Sequence, residues 1–232
     1  MKKLLILSVL VLLSSCEMTT PKTTAITILA DRTDPVIPEP VITDILPLLS
    51  VKEHPNMGLD LRLQNIGDVD YQPVYPLILK PAGMFDNTLQ RKSNIKHFMN
   101  AVDTLLTRHN RTIYDYEKSS ILFSVTDHLI KLKDAKAEDK YLVLYSDLAE
   151  SSDLFDSYSH RSLILKHSDK VAENLIKQIT IPDLSGVTLY IKYHPNTSSN
   201  NRLFKAWCEV YTILFKSSGL DIQIGINTNY GQ

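Results

Sequence analysis

Apolar runs alternate with amphipathic stretches along this chain, and the alternation predicts strands separated by helices. Two runs are apolar at nearly every position, AITILA at 25–30 and YLVLYS at 141–146, and an aspartate directly follows each of them. Continuous apolar runs of this length indicate strands that are buried on both faces of a sheet. We therefore expect these two strands at the centre of a mostly parallel sheet.

Period-two and helical spacings predict the remaining elements. Alternation of apolar and polar residues predicts half-buried strands near the sheet edges at 59–65 and 222–226. A strand is also predicted at 73–79, where prolines favour a position at the sheet edge. A further strand is predicted at 187–193. Helices are predicted at 41–50, around 95–106, from Ser119 or Ser120 onward, after Ser168 as N-cap, and at 203–215 with Gly219 as C-terminal cap. Strands separated by helices predict a doubly wound α/β fold with helices on both faces of the sheet.

The first residues have the pattern of an export signal. MKKLLILSVLVLLSSC has two lysines, an apolar stretch too short to span a bilayer as a helix, and small residues before Cys16. Its last four residues resemble the bacterial lipobox, which implies cleavage before Cys16 and attachment of lipid, including palmitate, to that cysteine. We predict a signal peptide at 1–15, the lipidated cysteine with a short tether at 16–24, and one domain at 25–232. The alternatives are an ordinary signal peptide with a chance cysteine, or an uncleaved anchor.

Such a lipoprotein would lie in the bacterial cell envelope, at the periplasmic face or the cell surface. The 25 basic and 26 acidic residues are interspersed, so neither nucleic acid nor a polybasic contact with a membrane is expected. Cys208 would be the one cysteine left beyond Cys16, and its amphipathic surroundings predict a buried small hydrophobe rather than a reactive thiol.

Oxygen-bearing side chains follow both central strands. The candidates are Asp31, Thr33 and Asp34 after the first strand, Ser119 (with Ser120 as fallback) at the start of a helix, and Asp147 after the second strand. Because the carboxyl ends of parallel strands meet at one edge of a sheet, we expect these side chains to lie close together where the strand order reverses. Carboxylate and hydroxyl oxygens are the ligands that magnesium prefers.

In order and spacing these segments resemble a von Willebrand factor A (vWA) domain. Asp31-Arg32-Thr33 resembles the first motif, Asp-x-Ser/Thr-x-Ser, of the family's metal-ion-dependent adhesion site, and SSILFSVTDHLI and YLVLYSD resemble the second and third segments. The pattern departs from the family where Asp34 and Pro35 replace the spacer and the last serine. The resemblance implies a magnesium ion, replaceable by manganese, that is held by Asp31, Thr33, Ser119 and Asp147. Asp34 would either bind the ion directly or contact one of its ligands. It also implies a coordination position for an acidic group of a protein partner.

Each candidate also has a plain structural explanation. The aspartates could cap turns, Ser119 or Ser120 could be a helix N-cap, and Asp147 could begin a solvated loop, because LAESSD is polar. The domain would then be a metal-free scaffold module of an envelope complex, with a degenerate site and no cofactor.

A different class of function is a magnesium-dependent, phosphatase-like hydrolase with Asp31 as phosphoryl acceptor. Such enzymes have a second aspartate where Thr33 stands here. The sequence contains no HExxH, GxSxG, GxxxxGK[ST] or GxGxxG motif. We therefore expect a binding domain rather than an enzyme.

Overall fold

The computed structural model describes residues 22–68, 72–83, 86–114 and 116–225. The predicted signal peptide and Cys16 lie outside these residues. The strands are β1 (Thr23–Asp31), β2 (Gly58–Ile66), β3 (Val74–Leu79), β4 (Asp139–Tyr145), β5 (Thr188–Lys192) and β6 (Asp221–Ile224). The helices are α1 (Ile42–Leu49), α2 (Thr88–Arg111), α3 (Ile121–Asp134), α4 (Arg161–Lys166), α5 (Ser168–Ile176) and α6 (Ser198–Leu214). Within the described ranges, no helix is both long enough and apolar enough to cross a membrane.

The six strands form one sheet in the order β3-β2-β1-β4-β5-β6. All neighbours are parallel except β2 and β3, which pair antiparallel. The two apolar strands, β1 and β4, are adjacent at the centre, and Ala30 lies beside Tyr145 at their carboxyl ends. The prediction of a doubly wound, mostly parallel sheet is therefore confirmed, and the strand order reverses between β1 and β4.

Helices cover both faces of the sheet. Leu61 and Leu77 are paired across β2 and β3 and so point to one face, where Leu77 lines a surface groove with Phe98 of α2. Arg62 points to the opposite face and lines a second groove with His128 of α3. Because α2 and α3 lie on opposite faces, β1 between them is buried almost along its whole length.

Two local predictions about helix ends are wrong. Ser168 is the first residue of α5 rather than its N-cap, and its hydroxyl donates a hydrogen bond to Glu209 at 2.8 Å. Gly219 has a positive φ of 72°, but α6 already ends at Leu214, with Phe215 at the C-cap position. Gly219 therefore serves the turn that leads into β6, where only glycine takes this backbone conformation without strain.

Candidate functional site

Asp31 ends β1 and is the centre of the candidate site. Its side chain is buried, with 2% exposure. Oδ1 accepts hydrogen bonds from the backbone N–H of Thr33 at 3.1 Å and from the Thr33 hydroxyl at 2.6 Å, while Oδ2 accepts one from the Ser146 hydroxyl at 2.9 Å. The carboxylate is thus held by the loop after β1 and by the end of β4, as expected for neighbouring strands.

The loop after β4 is tightly folded over the sheet edge. The Ser146 hydroxyl accepts a hydrogen bond from the N–H of Leu148, and Asp147 Oδ1 accepts one from the N–H of Ala149, each at 2.9 Å. Leu148 has a positive φ of 64° and no solvent exposure. A buried, branched residue in the left-handed region is strained, and such strain persists only where the surroundings fix the backbone.

Ser119 and Ser120 lie directly before α3, and neither hydroxyl caps the helix. Ser120 occupies the N-cap position without a side-chain hydrogen bond, and both hydroxyl oxygens are buried with no hydrogen-bond partner. Ser119 is 1% exposed, and although no hydrogen bond forms by distance and angle, its hydroxyl lies near enough to the Asp31 carboxylate to oppose the rise of its pKa. Ser120 is therefore at the N-cap position, as the plain structural explanation requires, but neither hydroxyl makes the capping hydrogen bond.

Glu150 supplies the cap that the serines do not. Its carboxylate is 1% exposed, and Oε2 accepts a hydrogen bond from the N–H of Leu122 in the first turn of α3 at 2.8 Å. The Ser152 hydroxyl donates a short hydrogen bond to Oε1. Glu150 was not among the residues that the sequence pointed to, because the polar segment LAESSD predicts a solvated loop, whereas Leu148, Ala149 and Glu150 are all buried.

The electrostatics of the site favour neutral carboxyl groups or a bound cation. Burial raises the pKa of Asp31. Burial also raises the pKa of Asp147 to about 6, and the nearby charges of Asp31 and Asp34 add to the rise. Burial raises the pKa of Glu150 to about 7. Desolvated like charges at close range are unfavourable unless protons or a cation neutralise them.

The predicted site residues therefore lie together at the carboxyl edge of β1 and β4. Asp31 and Thr33 are in direct contact, Ser119 lies beside Asp31, and Asp34 and Asp147 are near enough for their charges to interact. Asp34 also accepts a hydrogen bond from the N–H of Val36 at 2.9 Å, which braces the turn after β1. Within the described part of the chain, no group of three or more His, Cys, Asp and Glu side chains is arranged to hold a metal ion. An ion at this edge would depend on hydroxyl oxygens as well as carboxylates.

Comparisons with known proteins give only distant likenesses. No protein-family model matches the sequence, and no curated protein matches it. Among solved structures, the SpRpn10 VWA domain has 14% identity and a TM-score of 0.36, with 87% of each chain covered. The conserved hypothetical protein BatB from Bacteroides thetaiotaomicron has 12% identity and a TM-score of 0.38, with 89% of this chain and 92% of that chain covered.

The strand order and the helices on both faces match the three-layer arrangement that the sequence predicts. The fold is a doubly wound α/β sandwich of three layers, and the resemblance to a vWA domain stays a prediction. Identities and TM-scores this low carry no conclusion about function, so any statement about ligands depends on the site itself.

Proposed function

We propose that this vWA-like domain binds a protein partner through a divalent cation at the carboxyl edge of the sheet. The observation that carries the proposal is the Ser119 hydroxyl, which is buried without a partner beside the buried Asp31 carboxylate. The oxygen of this hydroxyl has two lone pairs that accept no hydrogen bond, and leaving them unused in a buried position is unfavourable. A cation bound to this oxygen would use one of them.

The donor set fits a hard cation. Asp31, Asp147, Thr33 and Ser119 would hold the ion, and Asp34 would add negative charge near it; all of their donors are oxygens, as magnesium requires. Burial raises the pKa values of both Asp31 and Asp147, and the charges of Asp31 and Asp34 raise that of Asp147 further, so a counter-charge would be favourable here. A bound ion would supply positive charge and a coordination position for an acidic group of the partner.

The proposed setting of the domain is a lipid anchor in the bacterial cell envelope. The support is the lipobox-like sequence that ends at Cys16, because several acyl chains on one residue would hold the protein stably at a membrane. The following tether of about eight polar residues would keep the domain close to the membrane surface.

Two observations favour binding over catalysis at Asp31. A phosphoryl acceptor needs a carboxylate oxygen that a substrate can reach, and Asp31 is 2% exposed with hydrogen bonds to both oxygens. Thr33 directs both its N–H and its hydroxyl to Asp31 rather than offering a second acid. We expect no release of phosphate from generic phosphate esters.

The experiment is a calorimetric titration of Mg²⁺, then Mn²⁺, into the full chain in detergent, compared with the Asp31→Asn and Asp147→Asn variants. The matched control is Asp139→Asn, which removes an exposed carboxylate at the amino end of β4, whereas Asp147 follows the carboxyl end of that strand. We expect saturable binding in the wild type and the control, and its loss in the other two variants. Absence of binding in the wild type, or undiminished binding by folded Asp147→Asn, would refute the metal site and leave the metal-free scaffold.

A further inference from the structure

The N-terminus of α3 has an unusual cap. A serine at the N-cap position ordinarily accepts a hydrogen bond from an amide of the first turn. Here the N-cap residue is Ser120, and its hydroxyl makes no such bond. The Leu122 N–H is instead bound by Glu150, which approaches from the loop after β4, 28 residues along the chain.

Backbone hydrogen bonds join the same two loops beside this cap. Ser119 and Ser151 exchange N–H and carbonyl hydrogen bonds, both at 3.0 Å, and form an isolated antiparallel bridge. The carbonyl of Glu150 also accepts a hydrogen bond from the N–H of Ser157 at 2.9 Å. Glu150 is therefore fixed at its backbone and at its side chain, and it connects the loop that carries Asp147 to the first turn of α3.

This arrangement determines what the Ser119 hydroxyl can do. Because Glu150 satisfies the Leu122 amide, neither serine hydroxyl is drawn to the helix amides, and both remain unpaired. Ser119 is held by its backbone bridge to Ser151, with its hydroxyl near Asp31. Groups that orient ligands are commonly as important to a metal site as the ligands themselves.

We propose that Glu150 is a positioning residue for the cation site: its buried carboxylate caps α3 in place of the serine hydroxyls and so leaves the Ser119 hydroxyl free to bind the ion. This inference rests on the proposed function. It assigns Glu150 an action through the helix N-terminus and through Ser119, without contact to the ion.

The test compares Mn²⁺ affinity and amide hydrogen exchange in the full chain carrying Glu150→Ala or Glu150→Gln. Loss of an orienting group weakens metal binding by about tenfold to a hundredfold, and we expect this range for Glu150→Ala. The glutamine oxygen can still accept the Leu122 N–H, so Glu150→Gln should stay within about threefold of the wild type. Exchange at Ser119 and Leu122 should speed up in the alanine variant alone.

Two controls separate the positioning role from general damage. Glu209→Ala removes an exposed carboxylate that also accepts a serine hydroxyl at a helix start, that of Ser168 at α5, and should leave Mn²⁺ affinity unchanged. Ser120→Ala should leave the exchange at Leu122 unchanged, because its hydroxyl is not the cap. If Glu150→Ala does not fold, amide exchange at Leu122 in Ser120→Ala still tests whether Glu150 or Ser120 caps α3.

The outcomes distinguish this inference from the proposed function. Wild-type binding that is equally tight in folded Glu150→Ala would overturn the positioning role alone. Mn²⁺ binding by Glu150→Gln that is as weak as that by Glu150→Ala would show that the negative charge matters rather than the cap. Faster exchange at Leu122 in Ser120→Ala would show that Ser120 is the cap. Either result would also overturn the positioning role of Glu150. No binding of Mn²⁺ by the wild type would overturn the proposed function and, with it, the role of Glu150.

Discussion

Replacing Glu150 with glutamine should change how the stability of the metal-free protein depends on pH. Burial raises the pKa of Glu150 from its ordinary value of 4.5 to about 7. The folded state therefore binds a proton more tightly than the unfolded state, and its stability is lost as pH rises through this interval. Glutamine keeps an oxygen for the Leu122 N–H but cannot titrate, so the variant does not incur this loss.

The size of the effect follows from the pKa change. A pKa difference of one unit corresponds to about 1.4 kcal/mol for one proton. The raised pKa of Glu150 therefore lowers the free energy of unfolding by about 3 kcal/mol as pH rises from about 4.5 to about 7. The free energy of unfolding of Glu150→Gln minus that of the wild type should therefore increase by about this amount over the same range. Burial lowers the pKa values of His109 and His128, which acts in the opposite direction below about pH 6.5, but both histidines are present in each protein.

Urea unfolding in the presence of a chelator measures this difference. Trp207, the single tryptophan, is fully buried and reports on loss of the core by fluorescence. Asp183→Asn is a control for the sign, because hydrogen bonds from Lys133 and Ser185 hold the pKa of Asp183 below its ordinary value. That variant should lose stability relative to the wild type as pH rises from the pKa of the folded Asp183 to about 3.8, and the difference should then stay constant over the range in which Glu150→Gln changes. Curves for Glu150→Gln and the wild type that stay parallel from about pH 4.5 to about pH 8 would refute the buried, proton-binding state of Glu150.

Two further predictions concern the anchor and the first helix. Cys16→Ser should abolish the incorporation of labelled palmitate into the protein in bacterial cells, because the sulfur that would carry lipid is lost; undiminished labelling would contradict lipidation there. Ser50→Gly should raise the free energy of unfolding by about 0.5 to 1 kcal/mol, since Ser50 ends α1 with a φ of 43° that glycine adopts without strain. Lower stability of that variant in urea unfolding would show that the Ser50 side chain contributes more than its backbone strain costs.

The centre of the fold is predictable from sequence because burial on both faces leaves a local pattern. A strand between two helical layers must be apolar at successive positions, and the polar residue that follows marks the edge of the sheet. That reasoning located β1, β4, Asp31 and Asp147, and the parallel pairing then placed the two aspartates at one edge.

The inner part of the site is not predictable in this way. Ser146 lay inside an apparent strand and Glu150 inside an apparent solvated loop, yet both are buried and make hydrogen bonds to other segments. Their burial results from the fold of the loop after β4 and from its packing against α3. The spacing of apolar residues in the surrounding sequence gives no indication of this burial. Ser120 does occupy the N-cap position, but the sequence could not show that the capping carboxylate comes from Glu150, a residue that is distant in sequence.

Several unfavourable features lie together at this edge of the sheet, although buried polar atoms without partners also occur in α3 and α6. Asp31 and Glu150 are buried carboxylates, Leu148 has a strained backbone, and the hydroxyls of Ser119 and Ser120 are buried without partners. Each feature is destabilising by itself, and all of them lie around the point where the strand order reverses. In a domain with a purely structural role, apolar residues at these positions would give a more stable core. A ligand that neutralises the carboxylates and pairs with the Ser119 hydroxyl would offset part of these costs together, and this is the strongest reason to test for a cation first.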